Sequence, residues 1–309
     1  MNPLEQTAID QWPLVSILMT SYNREKYIAH AIQSVLNLHY ENFELIIVDD
    51  CSSDNTLAIA EEFCKRDNRI RVYKNENNLG DYPNRNKAAS YANGKYLKYL
   101  DSDDTIYPYS LNIMVDGMER TPAVNFGLSH FKIQDDGKAF PLYYPPEEAY
   151  LQHFFKGGLF FSGPSGSIIR TDFFRQINGF SGKRFISDTE MWLTIARHSG
   201  ILMFQPSLIW WRRHNEQEFF LGHQGEEYVK LNFQLNKKFL IEEANPLSET
   251  KRTEAILNFK NRFSRKIIAK AFKLNIANVK KMMQYSGITS REILRSFIPQ
   301  QFIRKISGR

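Results

Sequence analysis

The stretch GKYLKYLDSDDTIY, Gly94 to Tyr107, decides how the rest of the chain is read. Its first half alternates Tyr and Leu with Lys and closes on Leu100, the pattern of a short strand with a buried far end. Asp101, Asp103 and Asp104 follow at once. Carboxylates this close repel one another unless positive charge sits among them. Two readings meet that need. One is a solvated acidic turn that caps the next helix; the other is a set of hard oxygen ligands for Mg²⁺ or Mn²⁺ bound jointly with a phosphate.

Upstream, Pro13 to Thr20 (PLVSILMT) is an apolar run with β-branched members, short enough for a buried parallel strand, and it ends in the polar turn Ser21, Tyr22, Asn23. Glu25 to Leu38 sets Ile28, Ala31, Ile32, Val35 and Leu36 at helical spacing. Phe43 to Val48 (FELIIV) is a second buried strand that runs into Asp49, Asp50, Cys51, Ser52, Ser53 and Asp54. A helix over Thr56 to Arg66 follows, with Asp54 as its N-cap. Ile70 to Lys74 (IRVYK) is a third strand. Asn77 to Asn86 (NNLGDYPNRN) reads as a turn-rich loop before a short helix at Lys87 to Ala92. Arg85 is the only cation of that loop, either a surface residue or one that reaches a carboxylate or phosphate.

Strand and helix alternating from the start predict βαβ units and a mostly parallel sheet. Ligands of such sheets collect at the carboxyl ends of strands, near the point where strand order reverses. Three strand ends here carry polar clusters: Thr20 to Asn23, Asp49 to Asp54, and Asp101 to Asp104. The chain has no GxGxxG after its first strand and no GxxxxGK[ST], which disfavours a dinucleotide fold and a P-loop. Phosphate must then be held by metal and by cationic side chains.

PLVSILMTSYN, IIVDDCSSDNT, NNLGDYPNRN and GKYLKYLDSDD, in that order over Pro13 to Pro108, resemble the nucleotide-binding half of family 2 glycosyltransferases of the bacterial cell-surface polysaccharide type. The resemblance implies the GT-A fold, an α/β architecture with a Rossmann-like, mostly parallel mixed sheet and helices on both faces. It implies inverting transfer of a sugar from a nucleotide diphosphate donor, UDP before others, to a hydroxyl of a glycan or lipid-linked glycan. Mn²⁺ or Mg²⁺ is the implied cofactor. Thr20 and Tyr22 match the residues around the base, Asp50 the base edge, and Arg85 the base or phosphate side. Asp101 matches the ribose-facing and metal-facing start of the DxD motif and Asp103 its metal ligand, with Asp104 as the alternative ligand.

Beyond Pro108 the pattern thins. Leu111 to Glu119 reads as a helix, Val124 to Lys132 as a strand, and Asp135, Asp136, Gly137 as a hairpin turn. Aromatic residues make up 14% of the chain, and many fall at Tyr143 to Phe161 and Trp192 to Trp211, where they suit either core or a sugar-facing groove. Ser162 to Gly166 is a loop able to bring backbone close to a ligand. Ser167 to Arg170, Phe173 with Phe174, and Ile177 to Phe180 (INGF) resemble the strand, helix and turn that precede the base in the family.

Ser187 to Ala196 opens a helix with Asp188 and Glu190 in its first turn, where acids also serve the helix dipole alone. The family carries Glu-Asp here, with the Asp as general base; this chain has Ser187 in place of the Glu. The resemblance therefore names Asp188 as base and Glu190 as its alternative. WWRRH, Trp210 to His214, resembles the family's Arg-x-His beside the diphosphate and metal, matching Arg212 and His214; a structural His is the other reading. Asn215 to Gly225 suits a lid over the donor.

At 309 residues the chain has room for one large domain and an appendage. We expect a catalytic domain over 1–240, with its nucleotide half at about 13–108 and its acceptor half at about 109–240, and a basic helical extension over 241–309. From Lys251 onward 15 Lys and Arg face only Glu254 and Glu292, which leaves the first 250 residues at a net of −7 against +6 for the whole. Ser248 caps a helix to Leu274 in which Ile256, Leu257, Phe259, Phe263, Ile267, Ile268, Ala271 and Phe272 form a stripe beside Lys260, Arg262, Arg265, Lys266, Lys270 and Lys273. Short helices at Val279 to Met283 and Glu292 to Phe297 follow, and Pro299 ends the pattern. The stripe, with a similar mixture at Phe297 to Ile306, suits an anionic membrane surface. Packing onto the catalytic domain and a nucleic-acid role are its rivals, and nucleic acid is not the expected partner.

Cys51 and Cys64 form no framework, which favours a reducing compartment. MNPLEQTAIDQW lacks the basic start and apolar run of a signal peptide, and no apolar stretch approaches the roughly 18 residues of a spanning helix. The expected location is cytoplasmic, peripheral on the inner face of the cell membrane. A sugar-phosphate nucleotidyltransferase is the rival enzyme, but it wants a Gly-rich phosphate loop after the first strand, and Thr20 to Glu25 has no glycine.

Overall fold

The computed structural model describes residues 12–129, 139–156, 158–160, 162–214, 217, 226–273 and 275–296. In chain order the first elements are Val15–Ser21 (β1), Ile28–Leu36 (α1), Phe43–Asp49 (β2), Thr56–Cys64 (α2), Ile70–Lys74 (β3), Asp81–Ser90 (α3), Tyr96–Tyr99 (β4) and Thr105–Ile106 (β5). Ser110–Arg120 (α4), Phe126–Ser129 (β6), Leu142–Tyr144 (β7), Pro146–Lys156 (α5), Ser167–Arg170 (β8), Thr171–Gln176 (α6), Ser187–Ser199 (α7), Ile201–Phe204 (β9) and Ile209–Trp210 (β10) follow. Four helices complete the described chain: Glu226–Ile241 (α8), Glu249–Phe272 (α9), Ile276–Ser286 (α10) and Ser290–Arg295 (α11).

The main sheet has eight strands in the order β3-β2-β1-β4-β8-β6-β9-β7. Strands β3, β2, β1 and β4 are parallel, and β1 and β2 are buried along almost their whole length, which is why they read as unbroken apolar runs. The chain winds outward from β1 to β3 and returns to β4 on the other side of β1. That reversal opens a crevice at the carboxyl ends of β1 and β4. The other half is mixed: β8 runs antiparallel to β4 and β6, β9 is parallel to β6, and β7 closes the edge antiparallel to β9. A separate ribbon pairs β5 with β10 and so lays the chain after the acidic triplet beside Trp210.

Several expectations are corrected. Helix α3 begins at Asp81, not Lys87, because Pro83 sits in its first turn, where the missing N–H has no partner to lose. The N-cap position of α2 is Asn55; Asp54 instead accepts the Thr56 amide at 3.0 Å and the Glu25 amide at 3.1 Å. Tyr144, Tyr150, Phe154, Phe160 and Trp192 are core, so the groove reading fails for them. Strand β6 is described to Ser129; the turn at Asp135 to Gly137, the lid segment apart from Gln217, and Phe297 to Ile306 lie outside the described residues.

The chain divides into two compact units, Met1–Ala149 with Phe160–His214, and Tyr150–Leu159 with Asn215–Arg309. The second unit has its own core of Phe233, Phe263, Ile267, Met282 and Ile288, with Phe233 stacked on Phe259 at 5.0 Å. The stripe of α9 expected to lie on a membrane is therefore inside this unit over Phe263 and Ile267. Helix α10 supplies the covering face by running longer than its sequence suggests: Asn275 caps its start by accepting the Asn278 amide, and Gly287, at φ +69°, ends it in the left-handed conformation. Thr289 and Glu292 form a capping box on α11.

Candidate active site

The β1 and β2 ends are laced together by short polar side chains. The Asn23 amide donates to Ser52 Oγ at 2.9 Å, the Ser53 amide to Asn23 Oδ1 at 2.9 Å, and the Arg24 amide to Thr56 Oγ1 at 2.7 Å. Asp49, buried, accepts from the Ser52 amide and hydroxyl at 2.9 and 2.5 Å. Thr20 is half-buried at the end of β1, and the Tyr22 side chain next to it is 48% exposed. Asp50 holds the following loop: its carboxylate accepts from the amides of Leu79 and Gly80 at 2.8 and 2.9 Å and from Asn75 Nδ2 at 2.7 Å. Of about four acceptor positions on a carboxylate, one is left over.

The acidic triplet after β4 is surrounded by basic side chains from three segments of the chain. Arg85, on α3 and buried, lies 2.7 Å from Asp101 Oδ1 and donates to Asp81 Oδ1 at 2.8 Å. Burial opposes its charge, but Asp101 and Asp81 more than offset that and raise its pKa. Asp103 Oδ2 receives both Arg24 Nε at 3.2 Å and His214 Nε2 at 2.9 Å. Arg212 Nε donates to the Asp103 carbonyl at 2.9 Å and its amide to Asp104 Oδ1 at 3.1 Å. Tyr27 stacks on the His214 ring at 4.7 Å and lies under the Arg212 guanidinium at 5.2 Å, which fixes both from one side.

Beneath the triplet lies Lys98, fully buried, with Nζ donating to the carbonyls of Tyr99 and Ser165. Burial pushes its pKa down to about 7 against the pull of Asp101 and Asp104. Ser165 Oγ in turn accepts the Asp101 amide at 2.9 Å.

Asp101, Asp103 and Asp104 each offer an oxygen within 4.8 Å of the others. Oδ2 of Asp104 is buried with no hydrogen-bond partner among the described residues. Burial, and then Asp101 and Asp103, push the Asp104 pKa well above the usual carboxylate range. A buried, unpartnered carboxylate oxygen beside two further carboxylates is costly unless a cation completes it. Hard oxygen donors with an imidazole at the rim suit a divalent ion, so the residues fit one.

Asp188, half-buried at the start of α7, accepts the Thr189 amide at 2.6 Å. Its pKa is raised to about 6, mainly by burial, with Asp81 raising it and Arg85 opposing; through Arg85 it is in electrostatic reach of the Asp101 side of the site. Glu190 is differently placed: Ser181 Oγ donates to Oε2 at 2.5 Å and Lys183 Nζ pairs with Oε1 at 2.8 Å. The turn leading into α7 is tied to α3 by Asn86, whose Nδ2 donates to the Phe180 carbonyl at 2.8 Å and whose Oδ1 accepts the Phe180 amide at 2.9 Å.

The structure thus gathers Arg85, Asp101, Asp103, Asp104, Arg212 and His214 into one cluster, joins Asp50, Thr20 and Tyr22 to its β1–β2 side, and separates the surroundings of Asp188 from those of Glu190. Sequence reasoning missed Arg24, Lys98 and Ser165. Arg24 carried one signal, a cation just past the first strand end.

The profile described as Glycosyl transferase family 2 matches residues 16–177. An uncharacterized glycosyltransferase of Haemophilus influenzae is 26% identical over 247 residues, which are 74% of this chain and 76% of that protein. The Escherichia coli UDP-Glc:alpha-D-GlcNAc-diphosphoundecaprenol beta-1,3-glucosyltransferase WfgD is 36% identical over 135 residues, 44% of this chain and 52% of WfgD. Among solved structures, S. aureus TarS 1-349 in complex with UDP-GlcNAc aligns with a TM-score of 0.62 at 20% identity, covering 88% of this chain and 81% of TarS 1-349. That likeness bears on the fold, which is GT-A. The profile match takes in the β1, β2 and β4 ends with their polar clusters and spans more than half of the residues, and on that ground the chain belongs to glycosyl transferase family 2.

Proposed function

We propose that the enzyme moves a sugar from a nucleoside diphosphate, UDP first among the candidates, to a hydroxyl of a glycan or lipid-linked glycan, with inversion at the anomeric carbon. The observation that carries the reading is the cluster in which Asp101, Asp103 and Asp104 come within 4.8 Å of one another amid Arg24, Arg85, Arg212 and His214, an array of acids and cations suited to a metal-bridged diphosphate. The UDP preference is supported by the donors named for WfgD and TarS, and the lipid-linked acceptor by the name of WfgD. Catalysis is assigned to residues up to about 240, on the cytoplasmic side, with 241–309 as an extension.

In this reading Thr20 and Tyr22 flank the base, with the open ring of Tyr22 able to stack on it. Asp50 takes the base edge through its spare acceptor position, Asp101 the ribose, and Arg85 and Arg212 the phosphates. Asp103, Asp104 and His214 would hold Mn²⁺ or Mg²⁺, which when bound neutralises charge on the departing diphosphate. Asp188 accepts the proton of the acceptor hydroxyl as that oxygen bonds to the anomeric carbon and the nucleoside diphosphate leaves with the electron pair. Glu190 is the lesser candidate because Lys183 and Ser181 engage both its oxygens. One displacement from the far face inverts the centre and needs no enzyme nucleophile.

A thermal-shift panel of UDP-, GDP- and dTDP-sugars with Mn²⁺ tests the reading. A bound donor at about 100 times its Kd adds roughly 2.7 kcal/mol of stability, and the UDP-sugars are expected to give it. No shift with any nucleotide sugar, with or without metal, would sink the proposal.

A further inference from the structure

The second unit carries positive charge on a surface for which the transfer chemistry has no use. Between Glu254 and Glu292 the chain has no acidic residue and nine Lys and Arg. Of these, Lys260 pairs with Glu292 at 2.9 Å, and Arg262 donates to the Phe154 carbonyl. Arg265, Lys266, Lys273, Lys280 and Lys281 are exposed, and none has a hydrogen-bond or ion-pair partner among the described residues.

At the far end of α9 the apolar pattern turns outward. Phe272, its last residue, is 82% exposed, and Ile276, the first residue of α10, is 63% exposed. The same helix buries Phe263 and Ile267 to 5% and 1% exposure, so the unit completes its core without them. Lys273 stands beside Phe272, and Lys280 lies one turn beyond Ile276 on the same face. Looking back along α9, Ala269 and Arg265 continue the open face below Phe272.

We propose that the exposed end of α9 and start of α10, with Phe272 and Ile276 projecting and Lys273 and Lys280 around them, form a docking tip for an anionic lipid surface. Two apolar side chains on a helix turn can enter the acyl boundary without a shaped partner, while the lysines stay level with phosphate-bearing headgroups. Nucleic acid would take the lysines but gain nothing from Ile276. A second copy of this chain meeting it by the same face would bring like charges together. The surface lies wholly within the second unit and is independent of the reading of the active site.

Sedimentation of the full chain at low salt, with vesicles of phosphatidylcholine alone and of phosphatidylcholine mixed with phosphatidylglycerol, tests the proposal. Binding to the mixed vesicles only, weakened by added salt, is expected. Phe272→Glu and Ile276→Glu should each lower partitioning by about tenfold or more. Lys273→Gln and Lys280→Gln should each lower it about fivefold. Unchanged thermal unfolding of these surface variants separates lost docking from lost fold. Indifference of the full chain to mixed vesicles, or undiminished binding by both Glu variants, overturns the proposal. So does retention on single-stranded RNA without vesicle binding, or a dimer abolished by Phe272→Glu in a protein that ignores vesicles.

Discussion

Asp188 and Glu190 share one helical turn, and their surroundings divide the work between them. As the proposed general base Asp188 must be ionised, and burial moves its pKa up to about 6. The kcat/KM of the enzyme is therefore expected to rise with pH through about 6 and level above it, falling roughly tenfold per unit on the acid side. Asp188→Asn should lose that limb and about 10² to 10⁴ in turnover while keeping the thermal shift given by donor; loss of donor binding as well would make Asp188 a ligand or a structural residue. Glu190→Gln should keep the limb and lower the melting temperature, because Lys183 loses its ion pair. At the acidic cluster, Asp103→Asn and chelator should each weaken donor binding, with Mn²⁺ reversing only the chelator. Arg24 donates to the Asp103 oxygen proposed to hold the metal, so Arg24→Met is expected to bind Mn²⁺ more tightly than the parent in a titration without donor and to bind the donor less tightly. Asp103 was legible because it stands in a four-residue motif. Arg24 was not, since its partner lies 79 positions away, and neither was Lys98, whose carbonyl partner Ser165 lies 67 away.

Helix α3 shows where element-level reading stops. The run Asn77 to Asn86 read as a loop, yet in the first turn a proline costs nothing, and the six added residues carry Arg85 and Asn86 into position. Strands β1 and β2 were legible because parallel strands covered on both faces must be continuous apolar runs. Strand β7 was not, since its three residues make sense only once β9 is beside them. The Asn86 link to Phe180 sets the approach of α7. Gly179 in that turn has φ +67°, and a Cβ there would stand 2.5 Å from Asn86 Oδ1. Gly179→Ala is expected to cost about 1–3 kcal/mol and to lower turnover more than donor affinity. A variant with unchanged urea midpoint and unchanged rate would show the turn to be incidental.

Over the whole chain, alternation announced an α/β protein, and strands were read at Val124 to Lys132 and Ser167 to Arg170, but the order of the mixed half was not legible: β8 reaches its place between β4 and β6 through pairings that only the folded chain defines. The second unit likewise recruits Tyr150–Leu159 from the middle of the sequence. His153 there is buried, with Nε2 3.0 Å from Asn236 Oδ1, and burial pushes its pKa down to about 4. The unfolded chain takes this proton near pH 6.5 and the folded chain near 4, so the associated stability is whole above 6.5 and is lost as pH falls through that window. His153→Gln should narrow the stability difference between pH 7 and pH 5 by about 2 kcal/mol, measured as urea midpoints of both proteins.

The place of β4 in the sheet also sets a schedule for synthesis. Its one neighbour, β1, has been made before it, while the other, β8, begins only at Ser167. At about 5–20 residues per second, a ribosome leaves the outer edge of β4 bare for several seconds, with Tyr96 and Leu97 unpaired on that side. A chain stalled in that interval presents a ready template for another strand, so slow codons between Asp101 and Ser167 should raise aggregation of the nascent protein, while the same codons placed after Phe204 should not.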